Sequence, residues 1–489
     1  MQPPLYFVHR GVRPQGERYR PAVSVLLPSR AMPPTPPSIP PATKGTPREV
    51  FAWAIYDWAN SAYTTLSITV MMIFVTEIVA GPQSSVADDL TRWATALGQN
   101  VARDSLGEVI WAWGLAVAML VAAVLSPLAG AMADARATKR WWLAGTAFGG
   151  ALCPIIMSVL PNEFGWTQLA LFILGSLLFD LSFGFYNGFL PELADEKTMN
   201  RVSAWGFALG YLGGGIALLI QLGVFHFGRQ QRIDDSQLVA AGLFLMGAWW
   251  GLFTIPTIVM LRDRALPTGK RMPLGRAAIQ AVSRVRTTLS RVSRYRTLAL
   301  FLLAFLFYND GIQTAIVQAG TFAKKDLGFA REELLLVILV FQFICLAGAL
   351  IDSVLTDRLG QKRALMLYLG IWAAALAAAL VIDTKLEFWL LSIVLGLVMG
   401  GAQTVSRSIM AMMTPERQRA EFFGFFNFSG KATSWLGNFV FGAVILATGK
   451  TRIAVASLLV FFLIGLLLVS WVDVARGRRE ALAELPPPA

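Results

Sequence analysis

Twelve apolar runs organise the chain, near 51–80, 108–132, 141–160, 166–190, 202–227, 238–261, 297–321, 333–356, 364–382, 388–413, 422–447 and 453–473. Runs of about twenty residues match helices that cross the hydrocarbon core of a bilayer. They lack the ten-residue alternation of a membrane β-barrel. The pattern predicts an all-α membrane protein with twelve transmembrane helices. Most connections are short. Two are long: 81–107, which is polar and expected to hold a short surface helix, and 262–296.

The first run opens on Phe51–Tyr63, FAWAIYDWANSAY. Within and beyond it, Asp57, Asn60, Ser61, Thr64 and Ser67 recur at helical steps and share one face. Insertion scales put an Asp at the centre of a spanning helix at roughly 2.5–3.5 kcal/mol. Such a group is expected to face protein or a wet cavity, and by default it marks a site.

Composition agrees with the pattern: 55% of residues are hydrophobic and 15% charged, where a soluble domain carries about 25% charged residues. The net charge is +12, and its placement explains it. With the N-terminus taken as cytoplasmic, inside segments hold 30 Lys and Arg and outside loops hold 10. That bias predicts that both termini are cytoplasmic. The linker 262–296 has ten basic residues against one acid, Asp263. It reads first as a topology determinant, and second as an amphipathic helix on anionic headgroups. Nucleic acid binding is not needed. Two cysteines, Cys153 and Cys345, sit inside apolar runs, and two histidines, His9 and His226, are far apart. Neither a disulfide framework nor a metal or cofactor site is expected.

Residues 1–49 are rich in Pro and Arg and read as a disordered cytoplasmic tail without the apolar core of a signal peptide. Met32 is an alternative start. The chain then repeats. Asp134 and Asp357 follow the second and eighth runs, 223 residues apart, and Pro191-Glu192 and Pro415-Glu416 end the fourth and tenth, 224 apart. Two unrelated features at one offset argue for two six-helix halves. They lie at 50–261 and 297–475, joined by the linker and followed by a tail at 476–489.

The loop copies carry a resemblance. Asp134 with Lys139 and Arg140, and Asp357 with Arg358, Lys362 and Arg363, resemble the loop signature of the major facilitator superfamily. The second copy has Ser353 where glycine is usual, and in the first no basic residue directly follows Asp134. Four further stretches resemble the vacuolar amino-acid effluxer family and its bacterial relatives. They are Tyr56-Asp57-Trp58-Ala59-Asn60-Ser61, Phe185-Tyr186-Asn187-Gly188-Phe189-Leu190-Pro191-Glu192, Tyr308-Asn309-Asp310-Gly311-Ile312-Gln313-Thr314 and Gly400-Gly401-Ala402-Gln403-Thr404-Val405-Ser406-Arg407-Ser408. The resemblance covers about 50–475. It implies the major facilitator fold and a secondary transporter, not an enzyme. The expected partners are the bilayer, a small polar solute such as an amino acid, and a coupling proton. The short loops favour a bacterial plasma membrane, and a monomer is expected.

The superfamily resemblance also implies that helices one, four, seven and ten line the cavity. Each carries one charged group more than a turn from its ends: Asp57, Asp180, Asp310 and Arg407. A guanidinium holds a carboxylate through paired hydrogen bonds, so Arg407, with Gln403 on its face, is a candidate for a substrate carboxylate. Asp57 or Asp310, with Tyr56, Asn60, Asn187 and Gln313 nearby in the motifs, is a candidate for an ammonium group or the proton. The plainer alternative pairs Arg407 permanently with an aspartate to offset burial. Asp180 reads equally as a relay or as helix–helix glue. Lys431 shares a face with Asn427, Ser434 and Asn438, where packing is the first reading and solute contact the second. The loop groups Asp134, Lys139, Arg140, Asp357, Arg358, Lys362 and Arg363 are expected to gate the seam.

Several features stay structural. Gly206, Gly210 and Gly214 form a small-residue ridge for close packing. The ridge resembles the antiporter signature of the superfamily, except that Tyr211 stands where proline is usual. Trp141, Trp142 and Trp166 read as interface belt. Gly449-Lys450-Thr451 is no phosphate loop, because position 444 is Val. A membrane transferase would need more than Asp88, Asp89 and Glu108 in the first loop. A sensor or lipid handler on the same fold stays open.

Overall fold

The computed structural model describes residues 45–81, 84–96, 103–136, 138–194, 199–263, 295–414 and 434–483, with isolated positions from 279 to 290 and at 422, 426 and 430. The first 44 residues, most of the linker, and Lys431 lie outside the described residues. For Asp134 and Asp357 the helical backbone alone is described.

Helix α1 (Pro47–Leu66) starts earlier than the apolar run. Thr46 and Glu49 form a capping box, with the Glu49 carboxylate accepting from Thr46 N at 2.9 Å, and Pro47 fits the first turn, where no N–H is needed. The last residues of the expected tail are therefore helical. Two π-helical stretches, Ser67–Met71 and Phe74–Val79, continue the span. The surface helix expected in the first long loop is α2 (Ser85–Ala96).

The first half continues with α3 (Leu106–Arg136), α4 (Lys139–Val159), α5 (Gly165–Leu193), α6 (Met199–Gln230) and α7 (Asp235–Met260). The second half has α8 (Arg296–Leu327), α9 (Arg331–Leu359), α10 (Gln361–Ala378), α11 (Lys385–Met413) and α12 (Ser434–Thr448). It closes with α13 (Thr451–Ser457) and α14 (Leu459–Trp471), which share the last apolar run, and α15 (Val474–Leu482). Among the described residues, nine spans are long and apolar enough to cross a membrane. The other three expected runs carry α9, α10 and α12.

Packing repeats between the halves. In the first, α1 lies against α6 and α7, α4 against α5 and α7, and α3 against α5. In the second, α8 lies against α12 and α14, α10 against α11 and α14, and α9 against α11. The halves meet along two reciprocal seams, α3 with α12 and α6 with α9. At the first seam the Trp113 indole donates to the Phe439 carbonyl at 3.2 Å and stacks on its ring. Gly442 leaves room for that indole, since a Cβ there would meet it.

The helix ends sort into two sets. Gly45 N bonds to Leu193 O, Arg140 bonds to Leu261 O, Lys362 bonds to Ser470 O, and Thr297 bonds to Glu480. This end, which receives both described termini, is called the near end. The far end gathers the end of α1, the start of α3, the α6–α7 turn and the α8–α9 turn. Gly360 joins α9 to α10 at φ +77°, a conformation that costs glycine least.

Candidate functional site

Asp57 is 8% exposed and lies between α1, α5 and α6. The Tyr186 hydroxyl donates to its Oδ2 at 2.7 Å. Tyr186 is itself held: the Trp53 ring stacks on it at 4.5 Å, and the Trp53 indole donates to its carbonyl at 3.0 Å. Tyr56 is fully buried, its ring 5.1 Å from Tyr186. Gly206 closes the third side. A Cβ there would fall 2.7 Å from Asp57 Oδ2 and 3.0 Å from the Tyr186 hydroxyl. The ridge continues, with Gly210 against Ser61 and Gly214 against Thr65. So the glycines that read as packing do pack, and what they pack on is the polar face of α1. That face divides: Asp57, Asn60 and Ser67 are buried, Ser61 is half-buried and Thr64 is exposed.

Asp310 is the counterpart in the second half. It is fully buried, accepts from Gly437 N at 3.0 Å and from the Thr314 hydroxyl at 3.4 Å. A Cβ on Gly437 would fall 3.1 Å from Asp310 Oδ1 and would collide with Thr314. The ridge repeats in sequence: Gly206, Gly210, Gly213 and Gly214 correspond to Gly430, Ser434, Gly437 and Asn438, each 224 residues on. A carboxylate on the first helix of each half thus lies under a glycine of the fifth. The bonds described for Asp57 and Asp310 stay within their own halves.

The fourth and tenth spans present open faces. On α5, Asp180, Phe183 and Asn187 are half-buried and Gly184 is exposed. On α11, Gln403 and Ser408 are half-buried, while Thr404 and Arg407 are exposed. Arg407 holds the place of Phe183 in the repeat, 224 residues on. It interacts electrostatically with the Tyr211 phenol of α6, in the other half. An arginine within an apolar span is expected to face protein or a wet cavity and not lipid, where its burial would cost about 2.5–3.5 kcal/mol. Gln313 on α8 is half-buried.

Of the polar stripe on the eleventh run, Asn438 is the member whose side chain is described. Its Oδ1 accepts from Gln318 at 2.8 Å, and its Nδ2 lies 3.7 Å from Met119 Sδ of the first half. Lys431 lies outside the described residues.

The described loop groups bind their own halves. Lys139 pairs with Glu192 at 2.6 Å and donates to Gly188 O at 3.0 Å. Arg140 N donates to Asp263 at 2.9 Å. Burial pushes the Asp263 carboxyl above its ordinary value, against the pull of that hydrogen bond. Lys362 donates to Ser470 O at 2.7 Å, and Arg358 and Arg363 are exposed.

Tyr186, Trp53 and Tyr211 carry no site signal of their own in the sequence. Tyr186 stands inside a quoted motif, but no spacing rule links it to Asp57 across 129 residues. Gly206 and Gly437 carry no chemistry of their own, and only the approach of another helix gives them a role.

Three comparisons place the chain among known proteins. A family model described as vacuole effluxer Atg22 like matches residues 45–482. The uncharacterized MFS-type transporter YxiO of Bacillus subtilis (strain 168) is 32% identical over 425 residues, covering 86% of this chain and 94% of its own. Autophagy-related protein 22-1 of Penicillium rubens is 29% identical over 307 residues, covering 59% of this chain. The chain spans about half that fungal relative's length, at 51%. Among solved structures, a D-xylose-proton symporter superposes with a TM-score of 0.62 at 13% identity, covering 88% of this chain and 98% of its own. The human organic anion transporter MFSD10 gives 0.61 at 15% identity, covering 86% and 99%. Those identities carry the fold alone.

Proposed function

The chain belongs to the Atg22-like vacuole effluxer family of major facilitator transporters, and from that premise we propose that it moves a small polar solute, amino acids first, by alternating exposure of the cleft between its halves. Twelve spans in two six-helix halves would rock about the α3–α12 and α6–α9 seams, with both termini on the cytoplasmic side of a bacterial plasma membrane. The bias of Lys and Arg supports that orientation.

The observation that carries this reading is Arg407, exposed within the apolar span of α11 and less than two turns before that helix ends. A fixed guanidinium there receives a solute carboxylate through paired hydrogen bonds. Gln403, Thr404 and Ser408 share its face, and Asp180 and Asn187 lie on the corresponding face of α5. Asp57 takes the role of coupling group, because a carboxylate held by one tyrosine hydroxyl can exchange a proton when that contact shifts. Asp310, fully buried beneath a backbone N–H, fits better as an anchor between α8 and α12.

Uptake into proteoliposomes tests this. Labelled neutral amino acids are offered with and without an imposed pH gradient to the wild type, Asp57→Asn and Arg407→Gln. Gradient-driven flux in the wild type alone supports the proposal. Flux that survives in Arg407→Gln removes the carboxylate assignment. Absence of flux for every amino acid, with folded protein, removes the substrate class and turns attention to lipids.

A further inference from the structure

At the far end α8 finishes with two adjacent lysines, which part to opposite neighbours. Lys324 pairs with Glu77, in the second π-helical stretch that ends the first span, at 2.5 Å and donates to the Thr76 hydroxyl at 3.3 Å. Lys325 pairs with Glu108 at the start of α3 at 3.1 Å and donates to the Ser105 hydroxyl at 3.1 Å. Both lysines belong to the second half, and all four partners belong to the first. At another corner the polarity reverses: Arg229 of α6 pairs with Glu332 of α9 at 2.7 Å. The Ser105 hydroxyl also reaches Gly449 O, in the turn after α12, at 3.5 Å.

The backbones are close at the same place. A Cβ on Gly320 of α8 would lie 3.0 Å from Ile68 O, in the first π-helical stretch of α1. A Cβ on Gly107 would lie 2.5 Å from Thr76 O. The lysines end a helix, where the macrodipole favours cations, yet two neighbouring ammonium groups repel unless each is countered. Nearby Asp326 is engaged by Arg452 at 3.8 Å, within the second half. The charges of Lys324 and Lys325 are met by acids of the other half. The Glu108 side chain is 12% exposed and that of Lys325 is 26% exposed, so water screens this pair less than a surface pair. At the near end, by contrast, the described pairs Lys139–Glu192 and Arg476–Glu480 stay within one half.

We propose that Lys324 and Lys325, bridging to Glu77 and Glu108, form an electrostatic latch that holds the far end of the cleft shut, with Arg229–Glu332 as its reciprocal clasp. Opening to that side separates four charges from their partners, so the latch biases the resting protein toward far-end closure. The inference rests on the alternating-exposure reading but not on any substrate.

The test uses the full chain carrying Cys153→Ser, Cys345→Ser and Thr404→Cys, the last as a reporter on the open face of α11. A membrane-impermeant maleimide is applied from the far side in the absence of solute. Lys324→Gln with Lys325→Gln is expected to raise the labelling rate about tenfold, the sum of two partly buried pairs. Glu77→Gln with Glu108→Gln should do the same from the other half, and serves if the lysine variant does not fold. Glu77→Lys with Lys324→Glu should return the rate to within about threefold of the parent. An unchanged rate in a folded neutral variant overturns the latch, as does a swapped variant that labels as fast as the neutral one. Labelling that responds in the reporter chain while the unsubstituted protein takes up no amino acid keeps the latch and removes only the substrate class.

Discussion

Tyr186 donates its hydroxyl to Asp57 across 2.7 Å, from a helix 129 residues further along the chain. Trp53, one turn before Asp57, holds the same tyrosine by its ring and by its indole N–H. The carboxylate is thus positioned by its own helix acting through another. Tyr186→Phe removes one donor and leaves the ring. It is expected to lower stability by about 1.5–3 kcal/mol, the range for a hydrogen bond to a charged group. Gradient-driven uptake should fall with it, and Asp57→Asn should abolish the further effect of Tyr186→Phe on uptake. Thermal unfolding in detergent and proteoliposome flux measure the two parts. Additive losses in the double variant would separate the residues.

Gly206 and Gly437 each press a helix backbone onto a buried carboxylate. Alanine at either position is expected to destabilise by about 1–3 kcal/mol through overpacking. Gly437→Ala should be the worse, because its Cβ meets the stiff, buried Thr314 and disturbs the N–H that serves Asp310. Gly223→Ala is the control: nothing lies within 4 Å of its Cβ, so helix propensity alone should make it neutral or stabilising by up to about 1 kcal/mol. Melting temperatures of the three variants decide the ranking.

Arg407 separates two physical roles. As a solute ligand in an open cleft, Arg407→Gln leaves stability within about 0.5 kcal/mol and lowers uptake of carboxylate solutes by about tenfold or more. As a permanent partner of an aspartate, the same change destabilises by about 3–5 kcal/mol, and neutralising that aspartate restores it. Unfolding and uptake of Arg407→Gln, alone and with Asp57→Asn, distinguish the two.

Asp263 gives a pH dependence outside the membrane. Burial raises its carboxyl in the folded protein, so the folded state holds that proton more tightly than the unfolded chain does. The stability it contributes is present below the unfolded value, about 4, and is lost as pH rises through the folded value. Asp263→Asn keeps an acceptor for Arg140 N and cannot titrate. Moving from pH 7 to pH 4 should therefore favour the wild type relative to Asp263→Asn, by about 2 °C or less in Tm. A shift toward the variant would reverse the assignment.

Several properties were determined by the sequence alone. The long apolar runs and the motifs around Asp57, Asn187, Asp310 and Arg407 point to an all-α membrane transporter, and the 223- and 224-residue offsets lead to the expectation of two halves. They do so because a lipid environment demands long apolar helices whose period is visible locally. The surface helix at Ser85–Ala96 was legible for a different reason, the length and polarity of the loop that holds it. What the tertiary structure alone decided is which polar groups meet. The face of α1 that looks continuous in sequence divides, with Asp57 covered by α6, Asn60 buried and Thr64 left open. Lys324, Lys325, Glu77 and Glu108 look like ordinary charges at helix ends until α8 is brought against α1 and α3. Hydrogen bonds and ion pairs act over a few ångströms, so partners separated by more than a hundred residues become visible only when the helices are packed.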